Sequence, residues 1–250
     1  MYNNKKIILT IEARMRSTRL PGKVLLPLVG KPALERMIER VKKSKYVDEI
    51  VVATTIHPAD DLIVSLTKEI GVPFFRGSEE DVLSRVLGAA ESVQGDIIVE
   101  LTGDCPLMDW RLVDRGIEEF FNDNYDYASN TINPTFPNGF DVQVFPTKIL
   151  AEVAKLTQDP IDRVHVSYYI YTHPKRFKLH NWVADKDDVG PELRVTLDEQ
   201  ADYDLLKVIY EELYFKDNDF SAVDVVALLR KRPDLVELNK YVKQKEVSEG

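Results

Sequence analysis

The sequence has few of the features that mark secreted, membrane-spanning or nucleic-acid-binding proteins. Its one cysteine, Cys105, excludes an intrachain disulfide and fits a reducing compartment. No apolar run approaches the ~20 residues that a membrane-spanning helix needs, and the apolar run near the N-terminus is too short for a signal peptide. The net charge of -9 argues against a general nucleic-acid binder, so any cationic site must be local. We expect a cytoplasmic protein that binds neither nucleic acid nor membrane.

What is present is an ordinary globular composition, with 44% hydrophobic and 30% charged residues. The first half alternates strand patterns with amphipathic helix patterns. The strand patterns cover 7–11, 48–55, 72–76 and 96–102, and the helix patterns cover 33–44, 60–70, 81–93 and 111–121. Strands separated by helices predict an α/β fold with a mainly parallel, Rossmann-like sheet flanked by helices. In such sheets, ligands bind at the carboxyl ends of the strands.

The second half is less regular. Helices are predicted over 147–156, 161–171, 199–213 and 221–231, and short strands over 177–183 and 194–197. We predict a single domain over residues 1–238, with an inserted arm at about 130–185. A charged tail over 239–250 is predicted to be mobile.

A cluster of cations follows the first predicted strand. Arg14, Arg16, Arg19 and Lys23 lie on one short loop, where they would repel one another unless an anion gathers them. A polyphosphate would do so, because guanidinium groups bind phosphate oxygens bidentately and lysine adds a point charge. A solvated basic loop would carry the same charges, so composition alone leaves both interpretations open.

The string from Ala13 to Lys23, ARMRSTRLPGK, resembles the signature of the sugar-activating cytidylyltransferases, which couple CTP to acidic sugars such as 3-deoxy-manno-octulosonate and sialic acids. It is most similar to the branch of spore coat polysaccharide biosynthesis protein F, from which it departs at Glu12 (usually Gln) and Arg16 (usually Gly). The resemblance implies a GT-A-type nucleotidyltransferase sheet, CTP and an acidic sugar as substrates, and Mg²⁺ as cofactor. It also implies a homodimer that pairs through the arm at 130–185.

The resemblance assigns the nucleotide site by position. Arg14, Arg19 and Lys23 would neutralise the triphosphate and the departing pyrophosphate. The implied nucleotide-binding residues are Ala13, Arg14, Ser17, Thr18, Arg19, Lys23, Ala53, Thr54, Arg76, Gly77, Ser78, Asp81, Arg85, Thr102, Gly103 and Asp104. Residues 76–81 would serve equally as a helix N-terminus with acids placed favourably on the helix dipole.

Two aspartates directly follow predicted strands. Asp104 lies in the segment TGDCPL, and Asp198 follows the apolar segment 194–197 and precedes a helix. Either could be a helix cap or turn residue. A carboxylate at such a strand end can also hold Mg²⁺, which needs only one or two protein carboxylates beside phosphates. The resemblance implies that both aspartates bind metal and face the basic loop across the triphosphate.

Acceptor-binding residues are expected from the second half of the chain. The resemblance implies Gly139, Asp141, Gln143, Arg163, His165 and Arg194. Arg163 could bind a sugar carboxylate or phosphate, and His165 could hydrogen-bond hydroxyl groups. An Arg or His on a helix is also a common surface or core residue.

Three alternatives remain open at this point. A GT-A-type glycosyltransferase shares the layout but would ordinarily carry an Asp-x-Asp pair, whereas the segment around Asp104 offers one acid. A nucleotidyltransferase could use another nucleoside triphosphate or another acidic or phosphorylated acceptor, which Glu12 keeps open. A nucleotide-sensing subunit would bind nucleotide without forming product.

Overall fold

A seven-stranded sheet forms the centre of the protein in a computed structural model, which describes residues 1–245. The strands are β1 (Ile7–Glu12), β2 (Pro27–Leu28), β3 (Lys31–Pro32), β4 (Glu49–Thr55), β5 (Phe74–Gly77), β6 (Ile97–Thr102), β7 (Tyr127–Ser129), β8 (Gln143–Pro146) and β9 (Leu179–Asn181). The helices are α1 (Ala33–Val41), α2 (Asp61–Glu69), α3 (Val82–Ser92), α4 (Trp110–Phe121), α5 (Thr147–Leu156), α6 (Pro160–Val164), α7 (Tyr168–Thr172), α8 (Gln200–Tyr214), α9 (Ala222–Lys231) and α10 (Pro233–Val236).

The strand order in the main sheet is β5-β4-β1-β6-β8-β7-β9, while β2 and β3 form a separate hairpin. Strands β5, β4, β1 and β6 run parallel, β8 is antiparallel to both β6 and β7, and β9 is parallel to β7. The prediction of a mainly parallel sheet flanked by helices is confirmed. The antiparallel strand is β8, because the chain reverses between β7 and β8, which the first-half alternation did not predict.

Helices cover both faces of the sheet, and for this reason β1 is an almost unbroken apolar run. Leu9 pairs with Ile50 of β4 and Val99 of β6, and all of its surface is buried. Alternate residues of β1 face opposite sides. Leu9 belongs to the large cluster that includes α1, α4 and α8, whereas Ile8 packs with α3 and α5.

Three second-half predictions need correction. The helix predicted over 161–171 is divided into α6 and α7, because Val166 between them adopts a positive φ of 41° that cannot continue a helix. The strand predicted over 194–197 is absent, since this segment makes a single bridge, at Arg194 to Asn138, rather than a ladder. The strand predicted over 177–183 is shortened to β9.

The predicted arm and tail lie close to the rest of the chain. Residues 130–185 contribute β8 and β9 to the main sheet, and α5 packs on α3, so a dimerisation arm stays a prediction. Asn239, the first residue of the predicted mobile tail, is only 2% exposed and its side-chain amide donates to Asp202, while the mobility of the tail stays a prediction. Residues 246–250 lie outside the described part, and the domain division at 238 stays a prediction. None of the helices within residues 1–245 is long and apolar enough to cross a bilayer.

Candidate active site

The loop after β1 folds back on itself at the carboxyl edge of the parallel strands. Gly22, with a φ of 74°, lets the chain turn, and its amide donates to the Met15 carbonyl at 2.8 Å. The Met15 amide in turn donates to Asp60 Oδ1 at 2.7 Å. This closed loop brings Lys23 back to the edge of the sheet at which β1 ends.

A close approach of backbones brings Asp104 to the same edge. The Gly103 amide donates to the Glu12 carbonyl at 2.8 Å, and a Cβ at position 103 would lie 2.7 Å from that oxygen. Only glycine fits there, so the sequence TGD after β6 sets Asp104 directly beside the loop.

Lys23 lies between the two aspartates that the resemblance assigns to metal. Its Nζ donates to Asp104 Oδ2 at 2.8 Å and to Asp198 Oδ1 at 2.7 Å. Burial favours the neutral forms, but the opposite charges and these hydrogen bonds outweigh it. They raise the pKa of Lys23 and lower the pKa of Asp104 from their ordinary values. Lys23 and Asp104 therefore form a charged pair at the edge of the sheet.

Asp198 is held by two further cations. Arg19 Nη2 lies 3.0 Å from its Oδ2, and Arg194 Nη2 lies 2.6 Å from the same oxygen. The amide of the preceding Leu197 donates to the Asp104 carbonyl at 2.7 Å, which ties the two acidic segments together. Asp198 is consequently buried, at 6% exposure, but fully paired.

A cavity of about 280 Å³ opens over this cluster. Most of the predicted nucleotide-binding loop lies on its wall, together with the Asp104 segment, His165 and Asp198. Its lining residues are Glu12, Ala13, Arg14, Ser17, Thr18, Arg19, Lys23, Val24, Val82, Arg85, Thr102, Gly103, Asp104, Val164, His165, Asp198 and Lys245.

Several predicted site residues do not line this cavity. They are Ala53, Thr54, Arg76, Gly77, Ser78, Asp81, Gly139, Asp141, Gln143, Arg163 and Arg194. Ala53 and Thr54 are completely buried within β4, and Gln143 accepts hydrogen bonds from Tyr127 and Ser167. Direct ligand contacts by these residues stay predictions.

Arg163 and Arg76, two of the three predicted arginines outside the cavity lining, donate to protein groups. Arg163 donates to the carbonyls of Thr157 and Ala154, at 3.1 and 2.6 Å, and so joins α5 to α6. Arg76 donates to the Thr55 carbonyl at 2.8 Å and pairs with Asp61 at 2.7 Å. A ligand would have to displace these carbonyl partners before it could bind either arginine, which favours structural roles for Arg163 and Arg76.

Asp141 and Gly139 lie near the acidic segments without facing the cavity. Burial and the nearby charge of Asp104 raise the pKa of Asp141 to about 6. Gly139 has a φ of 115°, and a Cβ there would be 2.7 Å from the Thr196 amide nitrogen. The glycine therefore allows the chain beside Asp141 to pass close to the segment that carries Asp198.

The sequence interpretation missed a pair of glutamates at the base of the cavity, of which Glu100 is buried and Glu12 is partly buried and lines the wall. Glu12 on β1 and Glu100 on β6 lie on the same face, because Thr10 pairs with Glu100 and Glu12 with Thr102. Glu12 Oε1 and Glu100 Oε2 have no hydrogen-bond partner within residues 1–245. Burial raises the pKa of both carboxyls, that of Glu100 well above its ordinary value, and the two groups hydrogen-bond to each other. The signal available in the sequence was the acid inside the apolar strand DIIVELT.

The residues present fit the Mg²⁺ that the family resemblance implies. Asp104 and Asp198 direct carboxylate oxygens at one cationic atom, Lys23 Nζ, and hard oxygen donors around a common point are what Mg²⁺ requires. In the described part of the chain, no group of three or more His, Cys, Asp or Glu side chains could hold a metal alone. Two carboxylates would leave the other coordination positions to phosphate oxygens and water.

Comparisons with known proteins identify the family of this chain. A family model described as cytidylyltransferase matches residues 8–242. The spore coat polysaccharide biosynthesis protein SpsF of Bacillus subtilis is 34% identical over 91% of this chain and 95% of that protein. A 3-deoxy-manno-octulosonate cytidylyltransferase of Chlorobium phaeobacteroides is 34% identical over 54% of each chain.

A solved structure extends the likeness to the whole fold. A cytidylyltransferase from Leptospira borgpetersenii superposes with a TM-score of 0.87 at 34% identity, over 97% of this chain and 100% of that one. The resemblance inferred from the string between Ala13 and Lys23 is thus confirmed, and the sheet is that of an α/β nucleotidyltransferase. On its sequence, its fold and its cationic site, this chain belongs to the cytidylyltransferase family.

Proposed function

We propose that this cytidylyltransferase joins CTP to an acidic sugar of the octulosonic- or nonulosonic-acid type, giving a CMP-sugar and pyrophosphate for surface glycan synthesis. The observation that carries the proposal is the ammonium of Lys23 held between Asp104 and Asp198 on the wall of a cavity that Arg14 and Arg19 also line. A triphosphate with its metal is the ligand that matches clustered cations beside two carboxylates at the edge of the sheet.

The reaction follows from where the charges lie. The acceptor hydroxyl attacks the α-phosphorus in line and releases its proton to solvent, the bond from that phosphorus to the bridging oxygen breaks, and pyrophosphate leaves with the electron pair. Arg14, Arg19 and Lys23 bind the triphosphate and stabilise the charge that grows on the leaving group. Held by Asp104 and Asp198, Mg²⁺ would supply charge neutralisation at the phosphates and lower the pKa of the attacking hydroxyl.

Lys23 has a second task in this scheme. In the ligand-free chain its ammonium is the counterion of both aspartates, at 2.8 and 2.7 Å. A phosphate oxygen can replace either carboxylate as its partner, because lysine is a point charge on a flexible stem. Lys23 would thus neutralise both carboxylates before the substrate binds and contact phosphate afterwards.

The acidic acceptor would lie at the end of the cavity where Arg85 and His165 line the wall. The choice of an acidic sugar as acceptor is supported by two relatives, a 3-deoxy-manno-octulosonate cytidylyltransferase and a spore coat polysaccharide biosynthesis protein. Glu12 on the same wall keeps a second candidate in view, transfer from another nucleoside triphosphate, because an acid there changes the hydrogen-bond acceptors facing the ligand.

We also propose a GT-A-type arrangement of the sheet and a homodimer that pairs through residues 130–185. Light scattering of the full chain at micromolar concentration tests the dimer, and a monomer mass would contradict it.

The deciding experiment is a matrix of nucleotides and acceptors with pyrophosphate detection. The full chain with Mg²⁺ is given CTP, UTP, GTP or ATP together with 3-deoxy-manno-octulosonate, N-acetylneuraminate or another nonulosonic acid. We expect pyrophosphate from CTP with one of the acids. Pyrophosphate from a different nucleotide would establish the second candidate, and its absence in every combination would reject both.

A variant pair tests the role of Asp104. Asp104→Asn should lower turnover by about 100-fold or more, because charge stabilisation is the main contribution to this kind of catalysis. The control is Asp187→Asn, an exposed aspartate in the polar loop before Gly190. Equal activity of the two variants, with unchanged circular dichroism, would contradict the proposed metal role.

A further inference from the structure

The segment from Asn239 to Lys245, here called the C-terminal strap, runs beside the candidate active site. Its first residue is its anchor. Asn239 Nδ2 donates to Asp202 Oδ1 at 2.8 Å and to the Arg194 carbonyl at 3.1 Å. Asp202 is itself fully buried and accepts from the amide of Asp198 at 3.0 Å. The anchor thus bonds to the same carboxylate that orients Asp198.

Further along, the strap contacts two arginines of the site. Gln244 Oε1 accepts from Arg194 Nη1 at 2.7 Å and from Asn138 Nδ2 at 3.0 Å. The Lys243 carbonyl accepts from Arg19 Nη1 at 3.1 Å. Both arginines also bind Asp198 Oδ2, so each links the strap to that aspartate.

The strap ends at the cavity itself. Lys245 lines the wall that Arg14, Arg19 and Lys23 also line. A triphosphate carries about four negative charges, so an ammonium group on this wall in addition to Lys23 would strengthen its binding.

We propose that the strap is part of the nucleotide site: Lys245 is an additional triphosphate-binding residue, and Asn239 and Gln244 are positioning residues that hold it and Arg19 in place. This inference rests on the proposed function for the identity of the ligand. It assigns a binding role to a stretch of chain whose sequence indicates only a charged terminus.

Equilibrium binding tests the role of Lys245 separately from catalysis. Calorimetric titration of the full chain with CTP, CDP and CMP should show that Lys245→Gln weakens CTP binding about tenfold, CDP binding less and CMP binding least. Lys245→Arg should restore most of the CTP affinity. The control is Lys240→Gln in the same strap, because Lys240 is exposed and pairs with Glu237, and its CTP affinity should be unchanged.

Two truncations test the positioning residues. A chain that ends at Lys245 should behave as the full chain, whereas one that ends at Leu238 should lose CTP affinity by more than Lys245→Gln alone, because Arg19 and Arg194 lose their strap contacts. If the shorter chain does not fold, Gln244→Ala replaces it, with an expected rise in the KM for CTP at unchanged kcat.

The outcomes separate this inference from the proposed function. Wild-type pyrophosphate release with identical CTP affinity in Lys245→Gln and Lys240→Gln would overturn the inference and leave the function standing. A tenfold loss of CTP affinity in Lys245→Gln, without pyrophosphate release from the wild type for any acceptor, would uphold the strap and reject the function.

Discussion

Lys23 Nζ lies 2.7 Å from Asp198 Oδ1, although 175 residues of chain separate the two. The contact exists because a closed loop after β1 and the segment before α8 reach the same edge of the sheet. Asp104 shares the ammonium at 2.8 Å, so the site holds an internal counterion at the point where its carboxylates converge. A free divalent cation therefore has to compete with a lysine whose pKa is raised by those same acids.

This competition predicts the effect of Lys23→Met on metal binding. Without the ammonium, Asp104 loses its counterion and Asp198 keeps only Arg19 and Arg194, so a divalent cation between the two carboxylates relieves their repulsion. We expect Mn²⁺ to bind the nucleotide-free variant about tenfold more tightly than the wild type, a change of about 1.4 kcal/mol. Titration calorimetry without nucleotide measures this.

The matched control for Lys23→Met is Lys31→Met. Lys31 also contacts two carboxylates, those of Glu35 and Glu39, but on an exposed surface away from the cavity. Its loss should leave Mn²⁺ affinity unchanged. Equal Mn²⁺ affinities for both variants and the wild type would show that Lys23 does not compete with metal.

We expect the free energy of unfolding to depend on pH through Glu12, which is partly buried, and Glu100, which is buried. Burial raises the pKa of both carboxyls, so the folded chain retains a proton that the unfolded chain releases near its ordinary pKa of 4.5. The associated stability is present below pH 4.5 and is lost as the pH rises through the folded pKa values. Glu12→Gln removes one ionisable member while keeping its shape.

We therefore expect Glu12→Gln to be more stable than the wild type at pH 8, with the difference shrinking toward pH 5. The gain is about 1.4 kcal/mol for each pKa unit that is removed. Urea unfolding across this pH range, with the exposed Glu80→Gln as control, gives the comparison. A Glu12→Gln chain that is less stable than the wild type at pH 8 would rule out the shared proton.

The parts of this structure that sequence could predict are those with a local pattern. The first-half strands and helices follow from apolar periodicity. The meeting of Lys23 with Asp104 follows from the rule that parallel strands end at one edge, because the two residues follow β1 and β6, whereas Asp198 follows a segment that is not a strand. The strap could not be predicted, because single contacts such as Asn239 to Asp202 join distant residues and leave no period in the sequence. The bonds from Arg163 to the carbonyls of Thr157 and Ala154 could not be predicted either, because a motif does not reveal them, and its role in acceptor binding stays a prediction.

Gly139→Ala should destabilise the chain more than Gly71→Ala does. Both glycines have positive φ, 115° and 65°, but a Cβ at position 71 meets nothing within 4 Å. At position 139 it would lie 2.7 Å from a backbone nitrogen, so the chain has to move. We expect about 1 kcal/mol for Gly71→Ala and clearly more for Gly139→Ala, measured by urea unfolding. Equal losses would mean that only the φ preference matters at position 139.

The last prediction concerns Asp202, the fully buried acid behind the site. It accepts from Arg194 Nε at 3.0 Å, from Asn239 Nδ2 at 2.8 Å and from the amide of Glu199 at 2.9 Å. In Asp202→Asn, the new side-chain amide would face other hydrogen-bond donors. The partly buried guanidinium of Arg194 would keep Asp198 but lose its second carboxylate partner. We expect a loss of about 3–5 kcal/mol in the free energy of unfolding.

Asp204→Asn on the same helix is the control for Asp202→Asn. Asp204 is exposed and accepts one hydrogen bond, from Gln200, so its replacement should change the free energy of unfolding by less than about 0.5 kcal/mol. Because Asp202 also holds the strap, Asp202→Asn should weaken CTP binding under conditions where the chain is still folded. A folded Asp202→Asn variant with wild-type stability and wild-type CTP affinity would mean that Arg194 and Asn239 keep their places without this carboxylate.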